Sequence, residues 1–428
     1  MTHKLLCCLS GLSYFMIATS VSATTLEEAL SASLKYESGL KVSSLMVNQS
    51  QAILDQAKQS NGLKINLVGQ VDYEQVKTPR GVLFPTSGNR QGQSAQLQLD
   101  YPVYTSGRHQ LSIELAKMQL AASHQGLYNQ TSLTMLKTVM VYTDVLRNTS
   151  ILALKNSALT NFKRSLYEAG RRFDAGIITR ADLAQVQAQV AQGQADVTGA
   201  ESNLDISRAQ FYQVTGQEAV DLKAINHLPK IPNNLDEVML NVKKHPALVQ
   251  AQFEKQATEK QYALIKRELR PTVMLTSRIG TQHEASYIGS ESDNYMVGVQ
   301  LNMPLYDSGL NRANIKKSLV DVDLANQKIE SLRLELNQQA QMNYAQLNAI
   351  RQNKQALQQA IDSASIALTY IHKELEFGTK TTYDLLTAEQ KLLDIQTQKI
   401  VNDQDEVVLV YQLLDKMGSL DSLAQKLQ

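Results

Sequence analysis

Tyr101-Pro102-Val103-Tyr104-Thr105-Ser106-Gly107 returns 202 residues later as Met303-Pro304-Leu305-Tyr306-Asp307-Ser308-Gly309. A second pair keeps the same step: Gly176-Ile177-Ile178-Thr179-Arg180-Ala181-Asp182-Leu183 and Gly378-Thr379-Lys380-Thr381-Thr382-Tyr383-Asp384-Leu385. Pro102 and Leu183 are separated by 81 residues, as are Pro304 and Leu385, and a gap kept without one insertion marks a duplicated structural unit.

Outward from these motifs, the 428-residue chain divides into a first repeat over 24–215, a linker over 216–234, a second repeat over 235–417 and a tail over 418–428. Residues 1–23 read as a secretory signal peptide, with Lys4, an apolar stretch from Leu5 to Ala18, and the small-residue cleavage signal Val21-Ser22-Ala23. Cys7 and Cys8 fall inside that leader, and neither follows a lipobox. The mature chain then has no thiol for a disulfide, a thiolate metal site or a lipid anchor. Of 42 basic and 41 acidic residues, one basic residue, Lys4, leaves with the leader, and the resulting balance of charge argues against a nucleic-acid partner. No mature window approaches about 18 consecutive apolar residues, the length of a spanning helix. An exported chain of this kind is either soluble beyond the inner membrane or a β-barrel in an outer one.

All eight prolines stand at 79, 85, 102, 229, 232, 246, 271 and 304, so 103–228 and 305–428 are free of them. Both stretches are rich in Gln, Ala, Leu, Lys and Asn, which suit long helices. Leu183, Val190, Val197, Leu204 and Phe211 recur at intervals of seven, as do Leu386, Leu393, Ile400, Val407 and Leu414, the seam of a coiled coil. Ala188, Gly193, Ala195 and Ala200 lie between the first set and are small enough for close helix approach. From Gly107 to Ala175 the composition predicts one helix, roughly 100 Å long at 1.5 Å per residue. Gly176 and Gly378 end such helices, and Thr179 and Thr381 restart them as N-caps, each with an Asp three positions on. The prediction is two helical hairpins, each with a tight tip.

Ahead of each hairpin the period changes to two. Leu63, Ile65, Leu67, Val71 and Tyr73, then Ala95, Leu97, Leu99 and Tyr101, alternate with polar residues; so do Val273, Leu275 and Ile279, and Val297, Val299, Leu301 and Met303. These predict four strands of about 10 residues, the length a tilted membrane strand needs. A soluble antiparallel sheet shows the same alternation, so the strands alone leave both readings open. The joining loops 77–93 and 281–294 are polar. Tyr73, Phe84, Tyr101, Tyr104, Tyr287, Tyr295 and Tyr306 gather near the strand ends, where an interfacial aromatic girdle would lie. Pro102 and Pro304 are expected to end strand pairing, and Ser106 and Ser308 to cap the helices that follow.

Four strands cannot close a barrel, and open edges are not tolerated in lipid, so several chains must share one. At this point the chain resembles the outer membrane factor family of TolC-like efflux proteins. The resemblance runs from Thr25-Leu26-Glu27-Glu28-Ala29-Leu30 and its counterpart near Leu235 to Leu248, through both Pro-x-Tyr-x-Ser-Gly turns, to both tips. Its most specific piece is Arg172-Phe173-Asp174-Ala175-Gly176 followed by Asp182.

The family implies an α+β membrane protein, a homotrimer in the outer membrane lipid of a Gram-negative bacterium. Each chain would give four strands to a shared 12-stranded barrel, continued by an α-helical coiled-coil tube across the periplasm. It also implies a periplasmic adaptor (membrane fusion protein) and an inner-membrane transporter docking at the tips, at Arg172, Phe173, Gly176, Gly378 and Thr379. Asp384, Thr387 and Lys380 map to the channel constriction and Asp182 to a link between hairpins. Thr387 stands where the family carries a second aspartate ring, Lys380 replaces an arginine and Leu375 a linking tyrosine. Read from the residues alone, Asp182 and Asp384 are carboxylates in the first turn of a helix, where they satisfy backbone N–H groups. Lys380 and Asp384 are also spaced to pair, and Arg171 and Arg172 suit a solvated face.

The mature histidines show no metal-ligand spacing, and there is no phosphate loop or nucleophile elbow, so no enzyme, cofactor or metal is expected. The reading is a passive exit duct for efflux or type I secretion, powered by its partner pump. The alternative is a periplasmic coiled-coil scaffold or adaptor without a pore.

Overall fold

A computed structural model describes residues 24–77, 88–284 and 290–420. The leader, Phe84 and Tyr287 lie outside the described residues. In chain order the elements are α1 (Leu26–Tyr36), α2 (Ser38–Gln59), β1 (Lys64–Val76), β2 (Gly88–Tyr104), α3 (Arg108–Asp174), α4 (Arg180–Thr215), α5 (Leu235–Val242), α6 (Pro246–Ile265), β3 (Thr272–His283), β4 (Glu291–Asn302), α7 (Leu310–Glu376) and α8 (Thr382–Lys416). Helices α3 and α7 each run for 67 residues. At 1.5 Å per residue that is roughly 100 Å.

The chain forms two compact units, and each takes in parts of both sequence halves. One holds residues up to Lys35, Thr138–Leu228 and Leu357–Gln404; the other holds Tyr36–Lys137, Pro229–Ala356 and the chain from Asp405 on.

In the first unit, α1 opens with a reciprocal cap: the Thr25 N–H donates to Glu28 at 2.9 Å, and the Glu28 N–H to the Thr25 hydroxyl at 3.2 Å. Tyr142 is fully buried, its ring 6.2 Å from that of Phe211. Its hydroxyl lies 2.7 Å from the Lys223 carbonyl and 2.9 Å from that of Thr24, which ties the residues just before α1 and the linker to α3. The expected seam is present: Val197, Leu204 and Phe211 are buried on α4, and Leu386 and Leu393 on α8. Gly193 is buried, and a Cβ there would meet Phe162 at 3.0 Å and Leu159 at 3.3 Å. Ala200 is buried too, but Ala188 and Ala195 are exposed, so only part of the small-residue set serves close approach.

In the second unit, the strands form one antiparallel sheet in the order β1-β2-β3-β4. They are longer than the alternation indicates, at 13, 17, 12 and 12 residues. Pro102 does not end the pairing. It lies inside β2 opposite Met274, and the register shifts between Pro102 and Tyr104. Partner strand β1 begins only at Lys64, opposite Asp100, so Pro102 has no neighbour on that side to miss its absent N–H. Pro304 does follow the end of β4.

The serine caps are also corrected. Ser106 and Ser308 have left-handed backbones, at φ 54° and 58°. The Ser106 hydroxyl donates to the Pro271 carbonyl at 2.6 Å, away from the start of α3. At α7 the cap is Asp307, whose carboxylate accepts from the N–H groups of Gly309 at 3.0 Å and Asn311 at 2.6 Å. A charged acceptor one residue earlier outcompetes the hydroxyl.

Candidate functional site

The sheet carries a first candidate site. Cross-strand partners share a face, and here Ile65 stands opposite Leu99, Leu67 opposite Leu97, Leu97 opposite Ile279, and Leu275 opposite Val299. The result is a continuous apolar face over four strands, and among the described residues nothing covers it. Leu67 is 78% exposed, Val297 77% and Val299 70%. Such a surface is far too apolar for water and marks contact with lipid or protein. Tyr73, Tyr101, Tyr104, Tyr295 and Tyr306 are exposed toward the strand ends. The other face is polar: Thr276 donates to Asp100 at 2.9 Å, and Gln98 donates to the same carboxylate at 2.7 Å. Among the described residues β1 pairs only with β2 and β4 only with β3, so each outer strand presents an open edge.

The hairpin tips carry a second, and the two copies share the same turn bonds. Gly176 and Gly378 both have φ 73°. At the first tip the Gly176 N–H donates to the Phe173 carbonyl and the Ile177 N–H to that of Arg172, both at 2.8 Å. At the second, Gly378 donates to Leu375 at 3.2 Å and Thr379 to Glu374 at 2.9 Å. This is the glycine-ended helix terminus that the sequence predicts. Both restarts are reciprocal caps: the Thr179 N–H reaches Asp182 Oδ2 at 2.9 Å and the Asp182 N–H reaches the Thr179 hydroxyl at 3.2 Å, distances repeated between Thr381 and Asp384.

Those bonds set the charge states. The Thr179 backbone N–H, with its hydroxyl, holds Asp182 below the usual aspartate value. The Thr381 N–H and hydroxyl do the same for Asp384, with Lys380 adding to it. Both carboxylates are therefore ionised at neutral pH, and Lys380 and Asp384 are near neighbours. Thr387 turns its hydroxyl back to the Tyr383 carbonyl at 2.8 Å, and Leu375 is buried. Asp182 is engaged within its own helix. Arg172, Phe173, Gly176, Gly378 and Thr379 together form the two turns.

Two features at these ends escape the local motifs. Ile177, Phe377 and Tyr383 are exposed apolar side chains, with Phe377 83% exposed. Glu389, on α8, is pushed up to about 7 by burial, with Arg164 pulling it down and Glu168 pushing it further up. Among the described residues no cluster of metal-ligating side chains occurs, and no helix is long and apolar enough to cross a membrane.

Comparison with known proteins is consistent across sequence and structure. The family model described as outer membrane efflux protein matches residues 29–217 and 241–415. The chain is similar to the outer membrane efflux protein BepC of Brucella suis biovar 1, 25% identical over 358 residues that cover 83% of this chain and 77% of that protein. It is similar to the outer membrane protein TolC of Escherichia coli, 25% identical over 333 residues, 73% of this chain and 66% of that one. Among solved structures, the CmeC outer membrane channel of Campylobacter jejuni superposes with a TM-score of 0.83 at 13% identity, covering 94% of this chain and 89% of that one.

Proposed function

The chain belongs to the outer membrane efflux protein family, and from that premise we propose how its parts serve an exit duct. It is an outer membrane channel, a passive conduit with its sheet in the outer membrane and its long helices in the periplasm. The observation that carries this reading is the uncovered apolar face of a four-stranded sheet with two open edges. A periplasmic scaffold would leave that face in water; a membrane covers it. Lipid does not tolerate the open edges, so partner chains must pair with them, and three chains supply the shared barrel. Two would give about eight strands, whose inward side chains fill the lumen.

The duplicated chain supplies two structural repeats, and so two hairpins per chain. Their tips, with exposed Ile177 and Phe377 beside Arg172 and Thr379, suit docking of a periplasmic adaptor, and through it an inner-membrane transporter that supplies the energy. Asp384 lines the periplasmic constriction as a ring of three, with Lys380 and Thr387 beside it, while its cap to Thr381 fixes the carboxylate's direction. Ionised carboxylates gathered on one axis select cations and bind multivalent ones.

Planar bilayer recording of Asp384→Asn tests the ring, because the amide keeps most of the cap while deleting the charge. Cation selectivity and block by multivalent cations from the periplasmic side should both fall with the trimer intact. Unchanged selectivity and block, with lowered thermal stability, would reduce Asp384 to a cap.

A further inference from the structure

Glu389 is a half-buried titratable group that neither the sheet nor the tip caps use. It lies three residues beyond Leu386, the residue that carries α8 into a core cluster with Phe162, Ala169 and Val186 of α3 and α4. The Glu389 Oε2 atom is buried without a hydrogen-bond partner. The adjacent Gln390 is satisfied across the same seam, accepting from Gln189 of α4 at 2.9 Å. The charges that reach Glu389 come from α3, the cation of Arg164 and the carboxylate of Glu168. Other titratable groups toward these hairpin ends are engaged elsewhere: Asp182 of α4 with Thr179, His372 of α7 with Glu376 at 3.5 Å, and Asp384, on α8 itself, with Thr381.

We propose that Glu389 is a proton-operated latch on the seam between the two hairpins. Protonated, it lets α8 close on α3 and α4; ionised, it loosens that contact until water reaches the carboxylate. The proposal rests on reading these hairpin ends as the mouth of a duct.

An ionised carboxylate in an apolar seam is costly unless donors surround it, and Oε2 has none. The Arg164 cation offsets only part of that cost, and the Glu168 carboxylate adds to it. Burial lifts the group from its ordinary 4.5 to about 7 in the closed seam. The sign follows by linkage: the closed form holds the proton more tightly than the open one. Closure is therefore favoured fully below the ordinary value and is lost as pH rises through about 7. The equivalent place in the first repeat, 202 residues earlier, holds uncharged Gln187, so the latch belongs to the second hairpin alone.

The test is single-channel conductance of the purified full-length trimer in planar bilayers between about pH 5 and pH 8.5. The wild type should open as pH rises, with a midpoint near the carboxyl's raised value. Glu389→Gln, which mimics the protonated side chain, should stay in the low-conductance state throughout. Two variants outside the seam's core give an independent readout. Arg164→Gln should move the midpoint up in pH and Glu168→Gln should move it down, because the one removes a stabilising cation and the other a repelling anion. An unaltered pH profile in Glu389→Gln overturns the latch and leaves the duct standing, as do charge variants that shift the midpoint in the same direction or not at all. A wild type without conductance steps at any pH overturns the duct and the latch together.

Discussion

Two glycines six residues apart on α4 should respond to the same substitution with opposite sign. A Cβ built on Gly193 meets Phe162 Cδ2 at 3.0 Å and Leu159 Cδ1 at 3.3 Å, whereas one built on Gly199 meets nothing within 4 Å. Alanine in a helix interior is favoured over glycine by about 0.5–1 kcal/mol, and Gly199→Ala should gain that amount. At Gly193 the same gain is set against overpacking of a core in which Phe162 is itself 2% exposed. Forcing a methyl into a packed site costs about 1–3 kcal/mol. The net expectation is a loss of about 1 kcal/mol for Gly193→Ala, and a gap of about 2 kcal/mol between the two variants, roughly thirty-fold in the ratio of folded to unfolded protein. Thermal loss of helical circular dichroism, at matched protein and detergent concentrations, reads the difference. Combining Gly193→Ala with Phe162→Leu should recover part of the loss, a coupling that distant sites would not show. If Gly193→Ala stabilised the protein as much as Gly199→Ala, the close approach of α3 and α4 would be refuted.

Gly176→Ala and Gly378→Ala meet open space, so each should cost only the left-handed backbone strain of φ 73°, about 1–2 kcal/mol, and the two should match in thermal melts. Tyr142→Phe removes the hydroxyl between the Lys223 and Thr24 carbonyls and should cost about 1–3 kcal/mol, seen as faster proteolytic release of the segment before Lys35. Burial pushes that phenol up to about 12, so the contact should be insensitive to pH up to about 10.

The helix ends and the strand alternation were legible because both are local. A glycine terminus and a Thr-x-x-Asp cap close within five residues, and the observed bonds at Gly176, Gly378, Asp182 and Asp384 lie where the sequence places them. The starts of α3 and α7 are less legible. Ser106 and Asp307 sit in turns whose backbone φ decides which side chain reaches the free N–H groups, and composition does not report φ. Pro102 escapes the rule against proline in a strand because that rule holds only where a neighbour awaits the N–H, and the offset of β1 against β2 is a property of the pair. Of the four small residues expected between the seam positions of α4, Gly193 and Ala200 are buried, while Ala188 and Ala195 are exposed. The heptad count locates the seam but not its width. Glu389 left only one trace, a charge where the first repeat has Gln187, and its burial depends on α3 packing against α8 across more than 200 residues of sequence.

The central claim is that this chain completes its sheet only with copies of itself in an outer membrane. Native mass spectrometry of the full-length protein, extracted from the outer membrane and released from detergent, tests it most directly. The account predicts a single species of three mature chains, each beginning at Thr24; a single chain, or recovery mainly from the soluble periplasm, would contradict it.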